Sequence, residues 1–206
     1  DDANRDGRAE FFNSIALMSD EGELLSVFDK VELLAFGETL PLSRLIPAMG
    51  ELFGGNWFTH GSSFEHLRLG DLTFLPTVCY EDIIPSLPRR IWRNDGPANV
   101  LVNVTNDSWY GDTHEPMIHL VLASFRSIET RRALIRSTNT GISAIVDPAG
   151  RIAERTGQWT RETLVADVPL IEDGSTTVYM RIGDVIAWIA LALLIVGLVA
   201  ARRARR

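Results

Sequence analysis

The sequence predicts an α/β domain with a mixed β-sheet, followed by an apolar helix at the carboxyl end. Three observations carry this prediction. Short strand-like runs alternate with segments of helical spacing, which is typical of layered α/β folds. Two pairs of strand-like runs flank turn signals, which indicates antiparallel hairpins in the same domain. A run of 17 residues without charge, 185–201, lies just before the last five residues.

The first predicted element is a hairpin. Residues 12–18 and 23–28 are its strands, because both are largely apolar and Asp20-Glu21-Gly22 between them is a turn signal. Residues 29–46 are loop-like, and residues 47–53 fit a short helix with proline in its first turn. The next two predicted strands are residues 67–69 and 72–78. Pro76 counts against a central position for the second of them, because proline donates no ladder hydrogen bond.

The second half of the chain alternates helices and strands. Residues 85–92 fit a helix if Pro88 lies in its first turn. Residues 99–104 form a mostly apolar strand of the kind that is buried on both faces, and residues 105–115 a polar loop. Residues 116–133 have helical spacing with proline in the first turn. Residues 142–146 and 152–155 are predicted to pair across a turn, and residues 163–168 to form one more strand.

Composition excludes some classes of function. The net charge is −7, whereas a nucleic-acid-binding protein normally carries a basic face, so we expect no nucleic-acid partner. The chain has one cysteine and therefore no internal disulfide bond. We expect no metal and no cofactor, because His114 and His119 are five residues apart and no HExxH, GxGxxG or Walker pattern is present.

The apolar run 185–201 predicts a transmembrane helix. It would be about 25 Å long, at the short limit for a bilayer. Arginines in residues 202–206 are typical of the cytoplasmic side, and Trp188 lies where an aromatic belt would be. The alternative is a buried core helix. If the run spans a bilayer, the residues before it lie outside the cytoplasm.

Cys79 is a candidate nucleophile. It follows an apolar strand and precedes a helix start, where backbone N–H groups would be available to a thiolate or an oxyanion. The alternative is a small buried apolar residue. Lys30 is the only lysine in the chain and could donate to a developing oxyanion, or it could be a solvated surface residue.

Carboxylates and polar loops complete the candidate site. Glu38 and Glu81 could orient Lys30 or move protons, and each could equally be one half of a structural ion pair. The loops 103–111 and 136–141 have the polar and aromatic composition of loops that line sites, although they could also be capped turns. We expect substrate contacts from four residues in them: Asn106, Trp109, Tyr110 and Asn139.

These motifs, in this order, resemble the nitrilase (carbon–nitrogen hydrolase) superfamily, and within it the apolipoprotein N-acyltransferase family of the bacterial inner membrane. The matching segments are Asp29-Lys30, Leu34 to Glu38, Cys79-Tyr80-Glu81, Asn106 to Gly111 and Arg136 to Ser143. The terminal apolar helix favours the acyltransferases over soluble nitrilases. The resemblance implies a nitrilase-like αββα sandwich with mixed sheets, incomplete in this chain and followed by the transmembrane helix.

The resemblance also implies roles for the residues. Cys79 would take an acyl chain from a phospholipid as a thioester, and Lys30 would stabilise the oxyanion. Glu38 and Glu81 would be supporting carboxylates, with Tyr80 in the same cluster. The acyl group would pass to the α-amine of a diacylglyceryl-cysteine apolipoprotein. The implied location is the bacterial inner membrane, with the catalytic domain on the periplasmic side and the carboxyl terminus in the cytoplasm.

Two departures from the family pattern lead to further expectations. Ala35 stands where the family usually has proline, which we expect to be tolerated. The family's general-base glutamate belongs to a Pro-Glu motif, and none precedes Lys30. We therefore expect residues 1–10 to be a polar leader or loop, residues 11–183 a partial hydrolase-like domain, and the chain alone to be inactive. A membrane-anchored amidase or nitrilase, or a tethered module without catalysis, are the alternatives.

Lipid access needs an apolar surface near the site. The candidates are residues 45–58 and the loop at Trp109-Tyr110, although these residues could also belong to the core. The apolar members of the first segment are Met49, Leu52, Phe53, Trp57 and Phe58.

Overall fold

Two β-sheets and four α-helices make up the fold in the computed structural model, which describes residues 10–40 and 57–204. The strands are β1 (Ser14–Met18), β2 (Leu24–Asp29), β3 (Leu67–Leu69), β4 (Leu72–Val78), β5 (Val100–Asn106), β6 (Leu134–Asn139), β7 (Ala144–Val146) and β8 (Ile152–Arg155). The helices are α1 (Ser86–Asp95), α2 (Glu115–Thr130), α3 (Val178–Ile182) and α4 (Val185–Ala204). Two 3-10 helices lie at Cys79–Ile83 and Ser108–Tyr110.

The larger sheet is mixed, as the sequence predicts. Its order is β3-β4-β5-β6-β7-β8, with parallel pairing of β4, β5 and β6 and antiparallel pairing elsewhere. β1 and β2 form a separate antiparallel pair. Apolar side chains of both sheets, α1 and α2 share one core, which includes Phe28, Leu75, Ile91 and Leu120. The α/β class and the mixed sheet are confirmed.

Pro76 lies inside the sheet, contrary to the prediction that it keeps its strand from a central position. β4 pairs with β3 on one side and β5 on the other. The physical reason lies in the register: β3 is paired only with Leu72 to Phe74, whereas Pro76 lies opposite Val102 of β5. From Leu75 onward β4 needs ladder partners on one side only, so the missing N–H of proline is tolerated there.

Two other predictions differ from the structure, and two observed elements are missing from the prediction. Residues 163–168 form no strand, and Val165 is 84% exposed. β6 and the short helix α3 are absent from the predicted elements. The helix predicted over residues 116–133 ends at Thr130, because Arg131 adopts a left-handed conformation with φ of 55°. The predicted helix 47–53, most of the leader 1–10 and the apolar candidates Met49, Leu52 and Phe53 lie outside the described residues.

The apolar carboxyl-terminal segment forms α4, which is 20 residues long. Of the described helices it is the one long and apolar enough to cross a membrane, with a mean hydropathy of 2.5 and no buried residue. A buried core helix is therefore excluded within this structure. Only two residues, Gly183 and Asp184, separate α4 from α3.

Candidate active site

Cys79 lies on a sharp turn at the carboxyl end of β4. Its φ of 53° is in the left-handed region, and it begins the 3-10 helix Cys79–Ile83. A side chain with a Cβ is disfavoured in that region by about 1–2 kcal/mol, so the surrounding contacts must hold the turn. One of them is Asn103 of β5, whose Nδ2 donates to the carbonyl oxygen of Cys79 at 3.1 Å.

Glu81 ties this turn to the segment that follows β2. Its carboxylate is fully buried, and Oε1 accepts from the backbone N–H groups of Val31 and Glu32 at 2.7 and 2.8 Å. Oε2 accepts from the N–H of Val78 at 2.8 Å. Burial raises the pKa of Glu81, while the three N–H donors act in the opposite direction. The carboxylate therefore fixes the spacing between the Lys30 segment and the Cys79 turn.

Lys30 is buried, which excludes the solvated surface alternative, and it forms an ion pair with Glu38. Its Nζ donates to Oε2 of Glu38 at 2.6 Å. The N–H of Leu34 donates to the same oxygen at 2.8 Å, and Nδ2 of Asn13 donates to Oε1 at 2.8 Å. Burial alone would raise the pKa of Glu38, but these donors outweigh it and hold the pKa below its usual value. Glu38 is thus a charged partner that keeps the ammonium in place.

These residues share one pocket of about 590 Å³. It brings together Lys30, Glu38, Cys79 and Tyr80 with all four of the loop residues expected to contact substrate, Asn106, Trp109, Tyr110 and Asn139. Glu81 does not line the pocket and lies buried beside the turn. Much of the wall is apolar, with contributions from Ile15, Leu34, Phe58, Val78 and Val104. The roles predicted for these residues remain predictions.

Tyr80, next to the candidate nucleophile, is held by aromatic and polar contacts. Its hydroxyl donates to Glu115, and its ring stacks on His119 at 4.3 Å between centroids with an interplanar angle of 11°. Tyr110 meets the same ring edge-on at 5.9 Å. Burial and the hydrogen bond to Glu115 raise the pKa of Tyr80. The hydroxyl therefore stays protonated at neutral pH.

A group of buried charged residues behind the pocket is missing from the sequence prediction. Arg136 of β6 forms ion pairs with Asp82 and Asp107, the latter at 3.2 Å. His119 of α2 faces the same two carboxylates, with Nε2 at 2.9 Å from Asp82 and Nδ1 at 3.1 Å from Asp107. The sequence distances of 37 to 54 residues between Asp82 and its partners hide this group from any local pattern.

Asp107, Glu115 and His119 present ligand atoms within 4.8 Å of one another. A metal ion is nevertheless poorly suited to this point. Nη2 of Arg136 lies 2.9 Å from Nδ1 of His119 and 3.2 Å from Asp107, so a guanidinium already provides the positive charge there.

The chain is similar to known proteins over most of its length. The sequence model of the carbon-nitrogen hydrolase family matches residues 3–176. A Caulobacter vibrioides protein named apolipoprotein N-acyltransferase is 39% identical over 200 residues, which is 93% of this chain and 36% of the relative. A Geobacter metallireducens protein of the same name is 36% identical over 190 residues, or 91% of this chain and 36% of the relative. The chain thus spans about a third of these relatives' length.

Solved structures show the same fold. A carbon-nitrogen hydrolase from Helicobacter pylori G27 has a TM-score of 0.56 at 16% identity, covering 74% of this chain and 55% of that one. An amidase from Nesterenkonia sp. has a TM-score of 0.51 at 21% identity, covering 70% of this chain and 51% of that one. The nitrilase-like sandwich expected from the motifs is confirmed at the level of fold.

Proposed function

The chain belongs to the carbon-nitrogen hydrolase family, and from this premise we propose that it is the nucleophile-bearing part of an apolipoprotein N-acyltransferase. It would move a fatty acyl chain from a phospholipid to the α-amine of a diacylglyceryl-cysteine apolipoprotein. One observation carries the proposal. Cys79, on a left-handed turn, shares an apolar-walled pocket with the buried Lys30–Glu38 pair.

In the first half-reaction, the general base takes the Sγ proton of Cys79, and the resulting thiolate attacks the ester carbonyl carbon of the phospholipid. A C–S bond forms and the carbonyl oxygen becomes an oxyanion, which the Lys30 ammonium stabilises. When the oxyanion collapses, the ester C–O bond breaks and the lysophospholipid alkoxide leaves with a proton from the general base. The apolar wall of the pocket suits the hydrocarbon chain that remains as a thioester.

In the second half-reaction, the lipoprotein α-amine attacks the thioester carbonyl carbon. A C–N bond forms, the C–S bond breaks, and the general base takes the proton of the amine. Glu38 is committed to Lys30 and Glu81 to three backbone N–H groups. Neither carboxylate is placed to act as that base, which agrees with a base supplied from the family's Pro-Glu motif. We therefore predict no acyl transfer by residues 1–206 alone.

The membrane assignment is also part of the proposal. α4 would span the bacterial inner membrane with Arg202 and Arg203 at its cytoplasmic end, which follows the usual bias of basic residues. The pocket domain would then lie on the periplasmic side. Trp109, which lines the pocket and is 81% exposed, is suited to contact the lipid interface.

The test uses the product of the complete gene in phospholipid vesicles. Without an acceptor, mass spectrometry should find one acyl group on Cys79, and none in the Cys79→Ser variant. A diacylglyceryl-cysteine peptide should then become N-acylated, while a matched peptide with a blocked α-amine should not. Release of ammonia from simple amides without peptide acylation would instead favour the anchored amidase. The absence of both activities would refute the enzymatic proposal.

A further inference from the structure

The buried group behind the pocket forms a network of five side chains: Asp82, Asn103, Asp107, His119 and Arg136. We call it the buried network. Each member is at most 2% exposed, and none of them lines the pocket. They come from the 3-10 helix after β4, from β5 and the turn after it, from α2 and from β6. The network therefore joins the elements that surround the Cys79 turn without touching a substrate in the pocket.

The network pairs opposite charges. Arg136 lies between Asp82 and Asp107 and forms an ion pair with each of them. The ring nitrogens of His119 face the same two carboxylates, Nε2 at 2.9 Å from Asp82 and Nδ1 at 3.1 Å from Asp107, and Nη2 of Arg136 lies 2.9 Å from Nδ1. Burial alone would lower the pKa of His119, but the hydrogen bonds to Asp107 and Asp82 outweigh it and raise the pKa. A buried, paired and hydrogen-bonded network of this kind holds its members in one arrangement.

One link runs from the network to the backbone of Cys79. Nη1 of Arg136 donates to Oδ1 of Asn103 at 2.9 Å, which fixes the orientation of that amide. Nδ2 of Asn103 is thereby directed at the Cys79 carbonyl oxygen, at 3.1 Å, and at Thr77, whose Oγ1 lies at 3.2 Å. Because the left-handed conformation of Cys79 is unfavourable for a non-glycine residue, this bond opposes its relaxation.

A second link runs to the neighbouring residue. The imidazole of His119, held between Asp82 and Asp107, stacks on the ring of Tyr80. Tyr80 follows Cys79 directly in the chain. The stack therefore fixes the residue after Cys79, while Asn103 fixes the carbonyl group of Cys79 itself.

We propose that Arg136 and His119 are positioning residues that keep the sulfur of Cys79 facing the pocket. The inference rests on the proposed function only in taking Cys79 as the nucleophile. Neither residue acts on substrate. Without them, the unfavourable left-handed conformation of Cys79 is no longer held in place. The population of this reactive conformer then falls about tenfold, as expected from the intrinsic preference of non-glycine residues against it.

Because Cys79 is the only cysteine, its reaction rate can be read without interference from other thiols. The experiment measures the rate of iodoacetamide alkylation of the full chain in detergent by mass spectrometry. Arg136→Lys keeps the charge but cannot reach Asp82, Asn103 and Asp107 together. The matched control is Arg132→Lys. Arg132 is fully buried and donates to the carbonyl oxygens of Ala98 and Ser175, away from the Cys79 turn.

The expected result is alkylation slowed about tenfold in Arg136→Lys and close to the wild-type rate in Arg132→Lys. Asn103→Leu, which keeps the volume but removes the donor to Cys79, should slow alkylation in the same way and serves if Arg136→Lys does not fold. Equal slowing in both arginine variants, faster alkylation, or an unchanged rate in Arg136→Lys and Asn103→Leu would overturn the proposal.

Acyl transfer by the complete gene product provides the second readout. Arg136→Lys should lower kcat with little change in KM, because the network does not line the pocket. If the wild-type protein transfers no acyl group, the proposed function fails. The alkylation comparison still decides whether the network positions Cys79, so the two failures are distinguishable.

Discussion

The substitution Glu81→Gln tests whether the buried carboxylate couples the two halves of the site. A glutamine amide offers one acceptor oxygen where the carboxylate has two. If that oxygen serves Val31 and Glu32, the NH₂ group faces the N–H of Val78, which already points at the side chain. One buried donor is then unsatisfied, at a cost of about 1–3 kcal/mol. For a cost near 2 kcal/mol and a chain of this size, we expect Tm to fall by about 4–8 °C.

Thermal unfolding of the chain in detergent, followed by tryptophan fluorescence, measures this shift. Glu154→Gln is the matched control, because Glu154 lies exposed on the terminal strand β8. Its Tm should stay within about 1 °C of the wild type. If the Tm of Glu81→Gln also stays near that of the wild type, the carboxylate does not hold the three N–H groups by hydrogen bonds. The argument that Glu81 sets the spacing between Lys30 and Cys79 would then be wrong.

Three further predictions follow from the same geometry. Lys30→Arg should lower the acylation rate of Cys79 in the complete gene product by about a hundredfold or more, as measured by mass spectrometry. The reason is that a planar guanidinium does not replace a buried, compact ammonium beside an oxyanion. Acylation near the wild-type rate would show that any cation suffices. Gly61→Ala should lower the free energy of unfolding by about 1–3 kcal/mol in urea titrations, because a Cβ there would overlap the Asp29 carbonyl group just before Lys30. Gly197→Ala, with open space around it inside α4, should not lower the free energy of unfolding, because alanine favours a helix more than glycine does. A Gly61→Ala variant as stable as the wild type would contradict the close approach. Since the pKa of His119 is raised in the folded chain, its contribution to stability is present below pH 6.5 and lost as pH rises through the folded pKa. The urea midpoint of the wild type should therefore fall as pH rises in that range, and the midpoint of His119→Gln should change less. A wild-type midpoint that rises there would contradict the raised pKa.

Opposing effects act on the pKa of His119. Asp82 and Asp107 face its ring nitrogens and raise the pKa, whereas burial and the nearby guanidinium of Arg136 lower it, and the carboxylates outweigh them. Burial raises the pKa of Glu129 to about 6, so its contribution to stability is present below about pH 4.5 and is lost as pH rises to about 6. The two losses are therefore separated along the pH axis.

The sequence predicts the elements whose signals are local. The first hairpin has two apolar runs and a turn between them, and β1 and β2 pair as expected. Pro88 lies in the first turn of α1, as the prediction for that helix requires. Cys79, Asn106 and Asn139 meet in one pocket because they lie at the carboxyl ends of the neighbouring parallel strands β4, β5 and β6, and Lys30 reaches the same pocket from the end of β2 in the other sheet.

What the sequence misses depends on partners far along the chain. β6 begins with two apolar residues, but Arg136 then interrupts the pattern of a buried strand. That arginine is buried because Asp82 and Asp107 neutralise it, and no local window contains all three. Conversely, residues 163–168 are rich in β-branched and apolar residues, yet within the described chain no strand pairs with them. A strand-like composition without a ladder partner does not make a strand.

The junction between α3 and α4 determines how the domain is mounted. Gly183 has a left-handed φ of 62°, and a Cβ there would overlap the guanidinium of Arg89 on α1. The connection is therefore only two residues long and lies against the side chain of Arg89. A spanning helix tilts to match the thickness of its bilayer. Because the connection is so short, a tilt of α4 in a bilayer would carry over in part to the domain, and bilayer thickness would then influence the angle at which the pocket mouth meets the lipid surface.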